Sequence, residues 1–173
     1  MPAKFDLSKF TKQARKNLER AQSLAQTLKH QHVEIEHVML AMLENDEGLG
    51  TATLQKLGVD TKALGRGMIA ELELLPKTYK QSNQTFVGKK LLSALQDAST
   101  EAEKSGDQYA NSDHIIIAFL GRSGFTTREL EKAGVTVDKL RSTLKESRGA
   151  KPVATPDGPM PELLLKYGTD LTA

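Results

Sequence analysis

The chain has 173 residues, with 24 basic and 22 acidic side chains, 27% charged and 38% hydrophobic content, eight aromatics and no tryptophan. That balance fits a folded protein with an aliphatic core, long enough for one domain or two small lobes, and a net charge of +2 does not by itself call for a polyanionic partner. The lack of cysteine excludes a disulfide scaffold, a cysteine-ligated metal and a thiol nucleophile, and no stretch reads as a signal peptide or a membrane span, so the cytoplasm is the expected compartment.

Residues 1–30 are locally basic: Lys4, Lys9, Lys12, Arg15, Lys16, Arg20 and Lys29 stand against two acids. Charge of this kind is the solvated face of a helix. A nucleic-acid surface would need aromatics or a reading helix beside it, so neither nucleic acid nor membrane is expected as a partner. Within the stretch Ala14, Leu18, Ala21, Ala25 and Leu28 fall on one helical face, and adding 77 gives Leu91, Leu95, Ala98, Ala102 and Ser105. Each stripe predicts a helix of about 18 residues, and their match predicts an internal repeat.

The same offset pairs EIEHVMLAML, 34–43, with NSDHIIIAFL, 111–120. Six consecutive apolar residues, Val38 to Leu43, cover every side of a helix, so that helix is central and buried. The β-branched run of the copy would suit a strand, but Ser112 or Asp113 can cap a helix and the partner copy is rich in helix formers. His37 and His114 then sit in the first turn of a buried helix, where an imidazole fills space and bonds to a neighbouring element.

Next, LQKLGVD, 54–60, answers LEKAGVT, 130–136, at an offset of 76. Gly58 and Gly134 suit the left-handed position after a last turn, with Val59 and Val135 packing back on Leu54 and Leu130 in a Schellman motif. Asp60 and Thr136 can cap a fourth helix carrying Leu64 and Met68, or Leu140 and Leu144. The expected fold is all-α: a pseudo-twofold eight-helix bundle of two four-helix repeats, at 1–75 and 87–147, joined by a loop at 76–86. Residues 148–161 carry four prolines and two glycines and read as a flexible linker. A helical stretch opens again in 162–173.

Chemistry is sparse. No G-x-x-x-x-G-K-[ST] phosphate loop and no G-x-S-x-G elbow occurs, and His30, His32 and His37 have the spacing H-x-H-x4-H rather than the zinc arrangement H-E-x-x-H. Glu34 and Glu36 are first-turn acids, favourable at a helix N-terminus without any catalytic duty. Neither a catalytic residue nor a metal site nor a bound cofactor is expected.

Taken together, F-T-x-x-A-R-x-x-L at 10–18, the Glu36-His37 helix, L-G-V-D at 57–60 and GDQYANSDH at 106–114 resemble the N-terminal domain of Clp-family AAA+ unfoldases. LLLKYGTDLTA at 163–173 resembles the opening of the first ATPase domain of these proteins. The resemblance spans residues 5–147 and implies an accessory domain that binds unfolded or aggregated protein, or adaptor proteins, and hands substrate to an ATP-driven ring. It implies a monomeric domain, a hexameric full-length ATPase, and ATP and Mg sites beyond residue 173. Details of the second lobe look most like the ClpB disaggregase branch, with adaptor or degron docking in a protease-coupled unfoldase as the alternative. Carried over from the family, polypeptide or adaptor binding would fall to Thr11, Asp107 and Asp113, and in a phosphoarginine-type pocket to Thr11 with Glu36. Val87 is taken as the second-lobe counterpart of Thr11, which leaves no second threonine. An unfolded client offers mainly apolar groups, so an apolar groove between helices is also expected.

Overall fold

The computed structural model describes residues 7–44, 49–78 and 85–148. The linker and ATPase-opening readings from 149 onward lie outside these residues, as does the side chain of Leu144. In chain order the elements are α1 (Lys12–Thr27), β1 (His32–Val33), α2 (Ile35–Glu44), α3 (Leu49–Lys56), α4 (Thr61–Glu73), β2 (Phe86–Val87), α5 (Lys89–Lys104), α6 (Ser112–Leu120), α7 (Phe125–Lys132) and α8 (Val137–Arg148). The two four-helix runs repeat each other, giving the all-α pseudo-twofold bundle. The long helices α1 and α5 each have 16 residues, slightly fewer than the stripes predict, because their last positions are taken up by caps.

Residues Val38 to Leu43 of α2 and Ile115 to Phe119 of α6 are all buried. Around them pack Phe10, Leu54, Met68, Leu72, Leu91, Leu130 and Leu140 in one continuous core. Each large aliphatic side chain so buried contributes roughly 1.5–3 kcal/mol relative to exposure. The two lobes interlock through this core: α3 reaches across to α6 and α8, and α7 reaches across to α2 and α4.

Both predicted Schellman motifs are present. Gly58 and Gly134 have φ of 87° and 83°. Val59 N–H donates to Leu54 O at 3.0 Å and Val135 N–H to Leu130 O at 2.9 Å, closing the ends of α3 and α7. Asp60 accepts from Ala63 N–H and Thr136 from Lys139 N–H, capping α4 and α8.

One reading needs correction. The cap of α6 is Asn111, and Ser112 and Asp113 lie inside its first turn. His114 decides this by reaching back from the third helical position, where its Nδ1 accepts Asn111 N–H at 2.9 Å.

The structure also adds short parallel strands to the helices. His32 pairs with Phe86 and Val33 with Val87, while Phe10 bridges to Ala110 in parallel fashion. These are one motif used twice: the lead-in to each long helix hydrogen-bonds to the segment before the other lobe's buried helix.

Candidate functional site

Where the long helices end, the chain turns back through a Schellman motif that delivers one residue beneath each buried histidine. After α5, Gly106 (φ 79°) turns the chain and Asp107 N–H donates to Ala102 O at 2.8 Å. After α1 the left-handed position is filled by Lys29 (φ 61°), and His30 N–H donates to Ala25 O at 2.8 Å. His30 and Asp107 are therefore structural equivalents, and each meets the histidine of the following buried helix.

These equivalents build different electrostatics. His114 Nδ1 accepts a backbone N–H, so its Nε2 carries the proton and donates to Asp107 Oδ2 at 2.8 Å. Asp113 Oδ1 lies 3.0 Å from the same ring. Burial opposes charging the imidazole, yet the carboxylates of Asp113 and Asp107 outweigh it and raise His114 above the ordinary histidine value. In the first lobe His37 Nδ1 accepts Glu34 N–H at 2.8 Å, so its Nε2–H donates to His30 Nδ1 at 2.9 Å. No carboxylate offsets burial here, and burial with the neighbouring His30 pushes His37 down to about 4. His30 is also lowered, by burial and then by the charge of Lys77.

The lobes meet over the same ground. Thr11 caps α1 by accepting Ala14 N–H at 3.2 Å, and its hydroxyl donates to Asn111 Oδ1 of the second lobe at 2.9 Å. Asn17 Nδ2 donates to Ser112 Oγ at 3.0 Å. Across the pseudo-axis the position of Thr11 falls on Gly88, the cap of α5, rather than on Val87, which corresponds to Phe10. The absence of a second threonine stands, but the occupant differs. A Cβ on Gly88 would lie 2.0 Å from Glu34 Oε1, so the Glu34 carboxyl fills the space that a capping side chain would need. Burial, and next the charge of Glu36, raises Glu34 above the usual carboxylate value.

Of the four residues carried over from the family, Thr11, Asp107 and Asp113 are buried in this network, at 0%, 4% and 1% exposure. From there they hold helix ends and the lobe contact, and their polar atoms face protein. Glu36 alone is partly exposed, and it accepts a hydrogen bond from Thr126 at 3.0 Å. Thr11 and Glu36 thus bond to different elements of the second lobe. Sequence reasoning missed Asn17, His30, Asn111 and Thr126. The 77-residue offset could have exposed His30, because it places that residue on Asp107.

An apolar groove lies between the long helices. Leu18 of α1 faces Leu91 and Leu95 of α5, with Val33 and Val87 of the strands at its base and Leu7 at its mouth. The space is about 100 Å³, almost wholly carbon-lined, with Glu19 and Gln22 on its rim. Leu18 and Leu95 are repeat equivalents, so the groove straddles the pseudo-axis. Leu7, at 39% exposure, is one of the few large apolar side chains open to solvent among the described residues. Among the described residues no helix is long and apolar enough to cross a membrane.

Known proteins resemble this chain in sequence and in fold. Chaperone protein ClpB 1 of Parasynechococcus marenigrum is 34% identical over 166 residues, covering 95% of this chain and 19% of that protein, so the chain spans about a fifth of its relative's length. The Hsp104 N-terminal domain of Candida albicans superposes with a TM-score of 0.75 at 18% identity, covering 88% of this chain and 99% of that one. A ClpV N-domain solved in complex with a VipB peptide gives a TM-score of 0.68 at 20% identity, covering 84% and 92% of the two chains. Residues 9–129, which hold the duplicated lobes up to the cross-lobe helix α7, match the family described as the Clp repeat (R) N-terminal domain, and the chain belongs to it.

Proposed function

We propose that this domain is the accessory, substrate-receiving part of an ATP-dependent protein-remodelling chaperone of the disaggregase type. It binds unfolded or aggregated polypeptide and passes it to an AAA+ ring encoded beyond residue 173, where ATP and Mg are used. The observation that carries the reading is the apolar groove of Leu18, Leu91, Leu95, Val33 and Val87, which offers an extended chain a carbon-lined slot of side-chain size between two rigid helices. Kinship with ClpB over nearly the whole chain supports the disaggregase branch. The ClpV N-domain with its bound peptide supports the related reading of adaptor docking on the same fold. Thr11, Asp107 and Asp113 serve by fixing the frame of the two lobes, and Glu36 is the one of the four whose side chain is partly open to solvent. The chain does no chemistry itself. Its proposed setting is the cytoplasm, as a monomeric domain on a hexameric ring.

The test is an NMR titration of the 173-residue chain with a permanently unfolded client protein. Amide shifts should cluster on Leu18, Val33, Val87, Leu91 and Leu95, and Leu18→Ser should weaken binding about tenfold, the scale of removing a buried apolar contact. An unchanged spectrum, or shifts confined to other faces, would reject the assignment.

A further inference from the structure

The pseudo-symmetry supplies an internal control, because a cleft between the buried helix and the last helix occurs in both lobes with different contents. In the second lobe Arg141 lines a space of about 350 Å³ and donates from Nε and Nη2 to Glu101 Oε1 and Oε2 at 2.6 and 2.9 Å, so that its wall carries an ion pair. At the equivalent positions of the first lobe stand Gly65 and Leu24, so no ion pair spans the gap. There the space between α2 and α4 is a cleft of about 340 Å³ with Leu40, Leu43, Gly65 and Ile69 as its apolar surface. Ile69 is 47% exposed, at the position where the second lobe carries Lys145.

Gly65 has no evident structural reason to be glycine. It lies inside α4, where glycine costs about 1 kcal/mol relative to alanine, yet a Cβ there would meet nothing within 4 Å and its φ is not positive. Its missing side chain leaves the backbone of α4 bare on the cleft wall, between the apolar Leu40, Leu43 and Ile69. On the rim, Lys62 and Arg66 stand one helical turn apart, exposed, and neither has an ion-pair partner among the described residues. Glu44, the one acid lining the cleft among the described residues, is bonded to Arg20 at 3.0 Å.

We propose that this cleft docks an acidic amphipathic segment of a partner protein, an aliphatic side chain lying over Gly65 and flanking carboxylates pairing with Lys62 and Arg66. The site is separate from the groove between α1 and α5, and the proposal stands whether or not that groove binds clients. The charge pattern chooses the partner: an apolar floor with two exposed cations, neither ion-paired among the described residues, favours acidic residues beside the anchor and repels basic ones.

The experiment titrates the 173-residue chain, followed by NMR, with a hexapeptide of two leucines flanked on each side by two acidic residues, and with its lysine-flanked counterpart. The acidic peptide alone should shift Leu40, Leu43, Gly65 and Ile69, and the response should weaken as salt is raised. Gly65→Gln, which puts neutral bulk where the partner's aliphatic side chain would lie, and the pair Lys62→Glu with Arg66→Glu should each weaken binding about tenfold or more. Shifts at Leu18 and Leu95 with an unfolded client should stay as in the parent. If Gly65→Gln fails to fold, the charge-reversed pair decides, since both side chains are exposed. The proposal is overturned if neither peptide shifts the cleft, if the lysine peptide binds equally, if the acidic peptide shifts only the α1–α5 groove, or if the face answers only to self-association of this chain.

Discussion

Thr11 and Asn111, one hundred residues apart, share a buried hydrogen bond of 2.9 Å in which the cap of the first long helix touches the cap of the second buried helix. Thr11 accepts from Ala14 N–H while it donates to Asn111, so one hydroxyl serves a local and a long-range purpose. Losing it uncaps α1 and leaves a buried amide oxygen short of a donor.

Thr11→Ala should therefore cost about 1–3 kcal/mol in chemical denaturation, at the upper end for a lone cap, while Thr11→Ser retains most of the stability. Equal losses from both substitutions would show that the methyl group matters rather than the hydroxyl.

Gly88 and Glu34 hold the equivalent place across the pseudo-axis. Gly88→Thr alone should destabilise, because its Cβ meets the Glu34 carboxyl and Val33 O at 3.0 Å. Combined with Glu34→Asn it re-creates the threonine–asparagine pair of the other side. A double-mutant cycle should give a favourable coupling of about 1 kcal/mol, and additive effects would rule the equivalence out.

The histidine pairs predict opposite pH dependences. His37 is depressed to about 4, so above its unfolded value near 6.5 neither state carries the proton. As pH falls from 6.5 toward 4 the unfolded chain takes up a proton that the folded one refuses, and roughly 3 kcal/mol of stability is lost. His114 is raised, so its contribution is complete below its unfolded value and is lost as pH rises through its folded one. His37→Gln should flatten the acid side of a stability profile measured from pH 7 to 4.5. A parallel decline in parent and variant would remove His37 as the cause.

Asp107→Asn keeps an acceptor for His114 Nε2–H but removes the charge. The His114 titration, followed by its ring NMR signals, should move to lower pH, with only a modest change in melting temperature. Asp107→Ala, which leaves a buried donor facing nothing, should cost about 3 kcal/mol. An unmoved His114 titration in Asp107→Asn would place the source of the shift elsewhere.

Much of the fold was legible because it is written in local signals. Gly58-Val59 and Gly134-Val135 announce their helix ends within six residues, and the six apolar positions from Val38 leave a helix no exposed side. The site was less legible, because its contacts join residues that sequence keeps apart. Asn111 stands beside two other good capping residues, and only the reach of His114 back to its N–H selects it. The end of α1 was hidden because Lys29, with no glycine to mark it, takes the left-handed conformation. Glu36, matched to Thr11 through the family, bonds instead to Thr126 because α7 crosses from the other lobe, a packing relationship with no spacing of its own.

The exchanged lead-ins bear on how the chain folds as well as on how it is held. A helical bundle with neighbouring contacts forms fast, since helices meet partners close in sequence. Here the capped start of α1 is completed by Ala110 and Asn111, whereas that of α5 meets Val33, which is already made, so of the two long helices α1 awaits a strand-like contact made late in the chain. During synthesis the first lobe emerges with the Phe10 edge unpaired until about one hundred further residues have followed. Refolding should accordingly be a single slow step for so helical a protein, and the interval before α6 arrives is when the nascent chain is most exposed to aggregation.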